Sequence, residues 1–253
     1  MEFRAVFFFF YLWSSADSEN RNTSQAPAYL EKTEQGLWSI PSGSPGILSA
    51  NFGYNNITRL RAFAFHRSGF VDLESIRLRG NRIDSIDRRA FRGLDRLREL
   101  YLQENRIESL DSNTFKANAR LLKLDLSSNG IRFGEGPFLS SPSLETLVLS
   151  DNRIERIHRA TLAKLPNLRY LIVNSNELFL IADGSFAWTN RFVYLSIART
   201  GVYKLSDGMF GNNESYPRVI DLTDTPLANA FDPPLTKVRN KGVSDLINID
   251  KYF

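Results

Sequence analysis

Residues 73–96 read LESIRLRGNRIDSIDRRAFRGLDR, and residues 97–120 read LRELYLQENRIESLDSNTFKANAR. A third copy, LETLVLSDNRIERIHRATLAKLPN, fills 144–167. Each has the form L-x-x-L-x-L-x-x-N-x-I, then a second apolar residue three on, then Phe or Leu near its end. Seven such copies run between Leu73 and Leu227 at a period of 23 to 25 residues. Self-similarity at that period marks a solenoid. One unit cannot bury its apolar edge alone, so neighbouring units stack into a continuous core.

The spacing within a unit predicts its shape. In the copy at 73–96, Leu73, Ile76 and Leu78 bracket a short strand, because alternate strand residues point to opposite faces. Asn81 follows where the chain turns away, Ile83 and Ile86 return inward, and Phe91 and Leu94 close the coil. The Asn position recurs as Asn55, Asn81, Asn105, Asn129, Asn152 and Asn176, then continues as Thr200 and Thr225. An amide has two donors and an acceptor, so an inward Asn can satisfy backbone groups that the turn leaves open. A second column, Phe65, Phe91, Phe115, Phe138, Leu162, Phe186 and Phe210, recurs at the same period and is read as core.

These motifs resemble the extracellular leucine-rich-repeat family. The resemblance implies an α/β repeat, a leucine-rich-repeat solenoid curved like a horseshoe around a concave parallel β-sheet. It also implies an asparagine ladder and a phenylalanine spine in the two columns above. Roles implied by it are innate-immune recognition, cell-surface or extracellular-matrix interaction, or service as a non-catalytic subunit.

The chain ends suggest a destination. Met1 to Ala16 has the form of a secretory signal: Arg4, an apolar run from Ala5 to Trp13, and the small residues Ser14, Ser15 and Ala16. That run is too short to span a bilayer, which takes about 20 residues. Residues 17–30 are polar and aperiodic and are expected to form a flexible arm. The repeat domain is placed at 31–253, with an N-terminal cap over 31–46, about eight repeats over 47–227 and a C-terminal cap over 228–253. The stretch Leu37, Ile40-Pro41-Ser42-Gly43-Ser44-Pro45 is similar to the cap sequence of secreted repeat proteins such as the jawless-vertebrate variable lymphocyte receptors. Those caps usually hold paired cysteines, whereas this chain has no Cys. Sequons at Asn22, Asn56 and Asn213 fit glycosylation of a secreted, extracellular protein.

The composition removes most catalytic chemistry. Without Cys, and with only His66 and His158, the chain lacks a cysteine nucleophile and the usual Cys/His metal sets, and it carries no phosphate-loop motif. Neither an enzyme nor a metal or cofactor site is expected, and His158 is read as solvated on the convex side. The net charge of +4 suits an acidic partner. Twelve arginines and no lysine lie between Arg59 and Arg106, against seven acidic residues. Arg82 with Asp84, Arg106 with Glu108 and Arg153 with Glu155 recur at one place in the coil and are read as surface pairs.

The register assigns outward side chains on the concave face. They run from Ser75, Arg77 and Arg79, through Glu99, Tyr101 and Gln103, to Tyr194, Ser196 and Ala198. The N-terminal half is charged, while Val148, Tyr170, Ile172 and Tyr194 make an apolar–aromatic patch. The expected ligand-binding set is therefore Arg77, Arg79, Tyr101, Gln103, Val148, Tyr170, Ile172 and Tyr194, with a protein as partner. The alternative is a sulfated glycosaminoglycan on the Arg-rich half. Nucleic acid is not expected, and no membrane span is read.

Overall fold

The computed structural model describes residues 28–188, 191–211 and 216–239. The signal-like segment 1–16, the sequons Asn22 and Asn213, and the tail from 240 lie outside them. Strands β1 (Ala28–Glu31), β2 (Ile47–Asn51), β3 (Arg59–Leu60), β4 (Ser75–Arg77), β5 (Ser85–Ile86), β6 (Glu99–Tyr101) and β7 (Lys123–Asp125) build the first half. The second half has β8 (Thr146–Val148), β9 (Arg156–Ile157), β10 (Tyr170–Ile172), β11 (Leu180–Ile181), β12 (Tyr194–Ser196), β13 (Val219–Asp221) and β14 (Lys237–Arg239). One ten-stranded sheet runs β1-β2-β4-β6-β7-β8-β10-β12-β13-β14, parallel until β14 returns antiparallel on β13. The solenoid has about eight turns. Its convex side carries little helix: among the described residues, one short α-helix and two 3-10 turns. Two small pairs, β3 with β5 and β9 with β11, line the coils after the turn.

Each repeat contributes only three residues to its strand, and the apolar pattern explains why. The middle residue, as in Ile76, Leu100, Leu124, Leu147 and Leu171, is fully buried, and its two neighbours face outward. The chain then turns through a left-handed residue just before the Asn column. Tyr54, Glu104, Ser128, Asp151, Ser175, Arg199 and Asp224 all have φ between 53° and 59°, and Gly80 occupies the same place at 68°. A side chain there costs about 1–2 kcal/mol, so something must hold each turn.

The ladder does so. Asn81 Nδ2 donates to Leu78 O in its own coil at 3.0 Å and to Phe52 O in the preceding coil at 2.9 Å. Its Oδ1 accepts the Ile57 N–H at 3.1 Å. Asn105, Asn129, Asn152 and Asn176 repeat this set, accepting from Ile83, Ile107, Ile131 and Ile154. Thr200 and Thr225 do only part of the task. Their hydroxyls reach Ile197 O and Leu222 O in their own coils, at 2.6 and 2.8 Å. A threonine lacks the length and the second donor to reach the coil beneath.

The aromatic column stacks in two runs, Phe65 through Phe115 and Phe186 with Phe210. Ring centroids of Phe65 and Phe91 lie 5.7 Å apart, those of Phe91 and Phe115 5.3 Å, and those of Phe186 and Phe210 5.4 Å. Between them Leu162 interrupts the aromatic run, and Phe138 turns to Phe133 at 4.8 Å, in the coil shortened around Gly134–Gly136. Asn118, not singled out from the sequence, is also buried on the convex side, donating to Phe91 O and Leu94 O.

Several expectations are corrected. The last three residues of the arm expected over 17–30 lie in a strand, because Ala28–Glu31 add β1 to the sheet edge, where β2 offers open backbone groups. A short helix, α1 (Pro226–Asn229), spans the expected start of the C-terminal cap and begins on the Thr225 side chain, which accepts the Ala228 N–H at 3.1 Å. Proline at the first helical position suits that start. His158, read as solvated, is half-buried, and so is Asn56.

The recurrent pairs Arg82–Asp84, Arg106–Glu108 and Arg153–Glu155 do not form among the described residues. Ion pairs instead climb between coils: Arg96 to Asp72 at 3.4 Å, Arg98 to Glu74 at 4.0 Å, Arg132 to Glu155 at 3.0 Å and Arg169 to Glu145 at 3.6 Å. Adjacent coils in the sheet lie about 4.8 Å apart, so a residue in the next coil is a ready partner. All these pairs are exposed and contribute about 0–1 kcal/mol each.

Candidate binding face

Strict register places the outward residues in straight columns across the sheet. One column reads Glu31, Asn51, Arg77, Tyr101, Asp125, Val148, Ile172, Ser196 and Asp221. Beside it run Ser49, Ser75, Glu99, Lys123, Thr146, Tyr170, Tyr194 and Val219. Six of the eight residues expected to bind ligand lie in these two columns; Arg79 and Gln103 stand two residues beyond Arg77 and Tyr101. Two groups form: Arg77, Arg79, Tyr101 and Gln103 toward the N-terminal end, and Val148, Tyr170, Ile172 and Tyr194 beyond the middle.

The charged group is internally compensated. The Arg79 guanidinium holds Glu104 Oε1 at 2.5 Å and 3.0 Å and lies 5.7 Å from the Tyr54 ring. Tyr101 has Arg77 at 5.4 Å and Lys123 at 4.9 Å from its ring centroid. Its hydroxyl donates to Glu99 at 3.0 Å. Burial raises the Tyr101 phenol above its ordinary range, and the Glu99 charge adds to that. Each cation thus already faces a ring or a carboxylate.

The apolar group has a different setting. Val148 and Ile172 are neighbours in one column, Tyr170 and Tyr194 in the next, and all four are half-buried. The Tyr194 hydroxyl donates to Asp221 Oδ2 at 3.2 Å, while Lys237 on β14 approaches the same oxygen at 3.5 Å. Burial pushes the Tyr194 phenol up to about 12; the Asp221 carboxylate adds to this and a Ser196 hydrogen bond opposes it. Ser196 and Ala198, expected to face outward, are buried, so the open floor ends at Tyr194. β14, whose Lys237 meets Asp221 at this end, lies outside the repeat pattern and is not legible from it.

Among the described residues no cluster of His, Cys, Asp and Glu could hold a metal ion, and no helix is long and apolar enough to cross a membrane. A family described as leucine rich repeat matches residues 71–131 and 132–187. The fold is similar to a solved crystal structure of a TLR13-ssRNA13 complex, at 21% identity and a TM-score of 0.54. That match covers 70% of this chain and 28% of the other, so the chain spans little more than a quarter of that protein's length. No curated protein matches.

Proposed function

The chain is a leucine-rich-repeat protein, and from that premise we propose that it is a secreted, non-catalytic binding protein that holds a protein ligand on its concave sheet. The observation that carries this reading is the floor of Val148, Tyr170, Ile172 and Tyr194. They are brought side by side in register and left half-buried with no covering element among the described residues. Tyrosine is enriched among residues that dominate binding energy, because one ring offers a large apolar area and a polar tip. A concave repeat surface is also where such solenoids commonly bind.

The Arg-rich half supports a polyanion less well. Arg79 is committed to Glu104 and Arg77 to Tyr101, so a sulfated glycosaminoglycan would have to displace contacts already made. The same holds for nucleic acid, although the related crystal structure is of a complex with ssRNA. The test is affinity capture with the secreted chain, then titration of the recovered protein against Tyr170→Ala, Tyr194→Ala. Hot-spot truncations cost about 2 kcal/mol or more each, so affinity is expected to fall at least a hundredfold while the melting temperature identifies any loss of fold. A partner whose affinity survives in a folded double variant places the site elsewhere.

A further inference from the structure

We propose that a second binding surface lies on the convex side of the coils that contain Asn55 and Asn81, and that it takes a sulfated polysaccharide. It is separate from the concave floor and does not depend on that reading. Residues 61–69 and 87–96 hold six arginines against two aspartates, Asp87 and Asp95. That excess equals the +4 of the whole chain, so the remaining residues carry equal numbers of each sign. The net positive charge of this protein is therefore a property of two loops.

The fold lays those loops side by side. The Phe63 N–H donates to Arg89 O at 2.8 Å, and the His66 ring fills the space that a Cβ on Gly93 would take. The half-buried Phe63 ring has the Arg67 guanidinium 5.6 Å from its centroid and that of Arg89 at 6.0 Å. One ring thus gathers a cation from each loop. Arg89 also lies 3.7 Å from Asp87, and Arg96 lies 3.4 Å from Asp72. The Asp87 N–H is bonded to Leu60 O, so this carboxylate stands at the Arg61 edge of the patch. Arg61, Arg67, Arg88 and Arg92 are exposed and make no ion pair among the described residues. In this they differ from the concave Arg79, which Glu104 holds.

The chemistry of this surface selects its ligand. A guanidinium offers a planar fork of N–H donors that pairs with two oxygens of an anionic group, and a chain bearing repeated sulfates can engage several forks at once. Single-stranded nucleic acid calls for open rings on which bases stack. Of the phenylalanines here, Phe65 and Phe91 are buried and the Phe63 ring faces Arg67 and Arg89. A membrane surface calls for exposed apolar anchors, and no large apolar side chain of these two loops is exposed. Secretion, as proposed above, brings the chain to where sulfated polysaccharides occur.

Titration of the full chain with a heparin dodecasaccharide at stepped salt concentrations tests this. Arg67→Gln, Arg88→Gln, Arg89→Gln and Arg92→Gln together should weaken binding more than about tenfold at physiological salt. They should also flatten the fall of log affinity with log salt by about one unit per lost contact. Arg120→Gln, Arg153→Gln, Arg156→Gln and Arg159→Gln remove the same charge from arginines exposed elsewhere. Charges more than about 10 Å away are screened, so that variant should bind within about threefold of the parent. Arg88→Gln with Arg92→Gln, made separately, should show the same direction of change if the first fourfold variant melts early. Equal losses in the two fourfold variants would reduce the effect to net charge and overturn the assignment, as would affinity that follows Arg77 and Arg79 instead. Single-stranded RNA that binds as tightly, and is lost in the same variant, would make the surface a nucleic-acid site and overturn it too. A chain that fails to bind heparin at physiological salt overturns it outright and leaves the concave-face reading standing.

Discussion

The side-chain oxygen of Asn129 accepts the backbone N–H of Ile107 at 3.0 Å, 22 residues earlier in the chain and one coil away in the stack. The same amide donates to Leu102 O at 3.1 Å and Leu126 O at 3.0 Å, so one side chain ties two coils together. Replacing Asn129 by Ala is expected to cost roughly 1–3 kcal/mol, the penalty for buried backbone groups left unpaired. Thr200→Ala, which loses only a bond within its own coil, is expected to cost about 1 kcal/mol. Urea unfolding of both variants provides the comparison. Equal losses would show that the bonds between coils carry no extra weight.

Gly80 turns with φ 68° beneath the Tyr54 ring, and a Cβ there would collide with that ring. Other coils place a side chain at this turn, so the backbone alone tolerates one. Gly80→Ala should destabilise by about 1–2 kcal/mol in the native background and by less in Tyr54→Ala. A double-mutant cycle reads the coupling. Additive losses would mean the ring is not what excludes the methyl group.

The Tyr194 phenol, pushed up to about 12 by burial and by Asp221, stays protonated in the folded chain after an unfolded tyrosine would ionise near 10. Above about pH 10 the unfolded state binds fewer protons than the native state, so stability falls as pH rises. The contribution is complete below pH 10 and is lost toward pH 12. Tyr194→Phe should flatten this alkaline decline, measured by denaturant midpoints at stepped pH. An unchanged slope would remove Tyr194 as its source.

Heparin chromatography separates the polyanion alternative from the protein reading. Because Arg77 and Arg79 are engaged by Tyr101 and Glu104, Arg77→Ser with Arg79→Ser should shift the eluting salt concentration little. Binding that depended on them would fall steeply with salt through counterion release, as polyanion binding does. A large drop in retention of the double variant would favour a glycosaminoglycan on the N-terminal half.

Expression of the full chain in a secreting cell tests the proposed location. The released product should begin near Asp17, with glycan on Asn56 and Asn213 detected by intact mass before and after glycosidase. Asn56 is half-buried and its backbone N–H is held by Leu37 O at 2.8 Å, so its occupancy is the more demanding result. An unmodified product that still starts at Met1 would reject secretion.

The repeat itself was readable from the chain: the leucine positions, the Asn column and most of the Phe column all fall where period and polarity put them. This works because each coil meets the next with the same offset, so a local pattern becomes a contact. The same regularity puts Arg77, Tyr101, Val148 and Ile172 in one column of the sheet and Tyr170 and Tyr194 in the next. What the pattern could not carry lies where contacts break the repeat. Ion pairing depends on whether Glu74 or Glu104 can reach the next coil, not on its sequence neighbours. The left-handed turns fall on Glu, Ser, Asp, Arg and Tyr, residues with no common signal, because the Asn or Thr that follows holds the turn. β1 and β14 add strands with no repeat motif, since a sheet edge needs only backbone partners. Lys237 on β14 meets Asp221, and Ser196 beside Asp221 is buried where the open floor ends. Chain periodicity determined the solenoid and its faces; long-range packing at its ends decided which part of the concave face stays open.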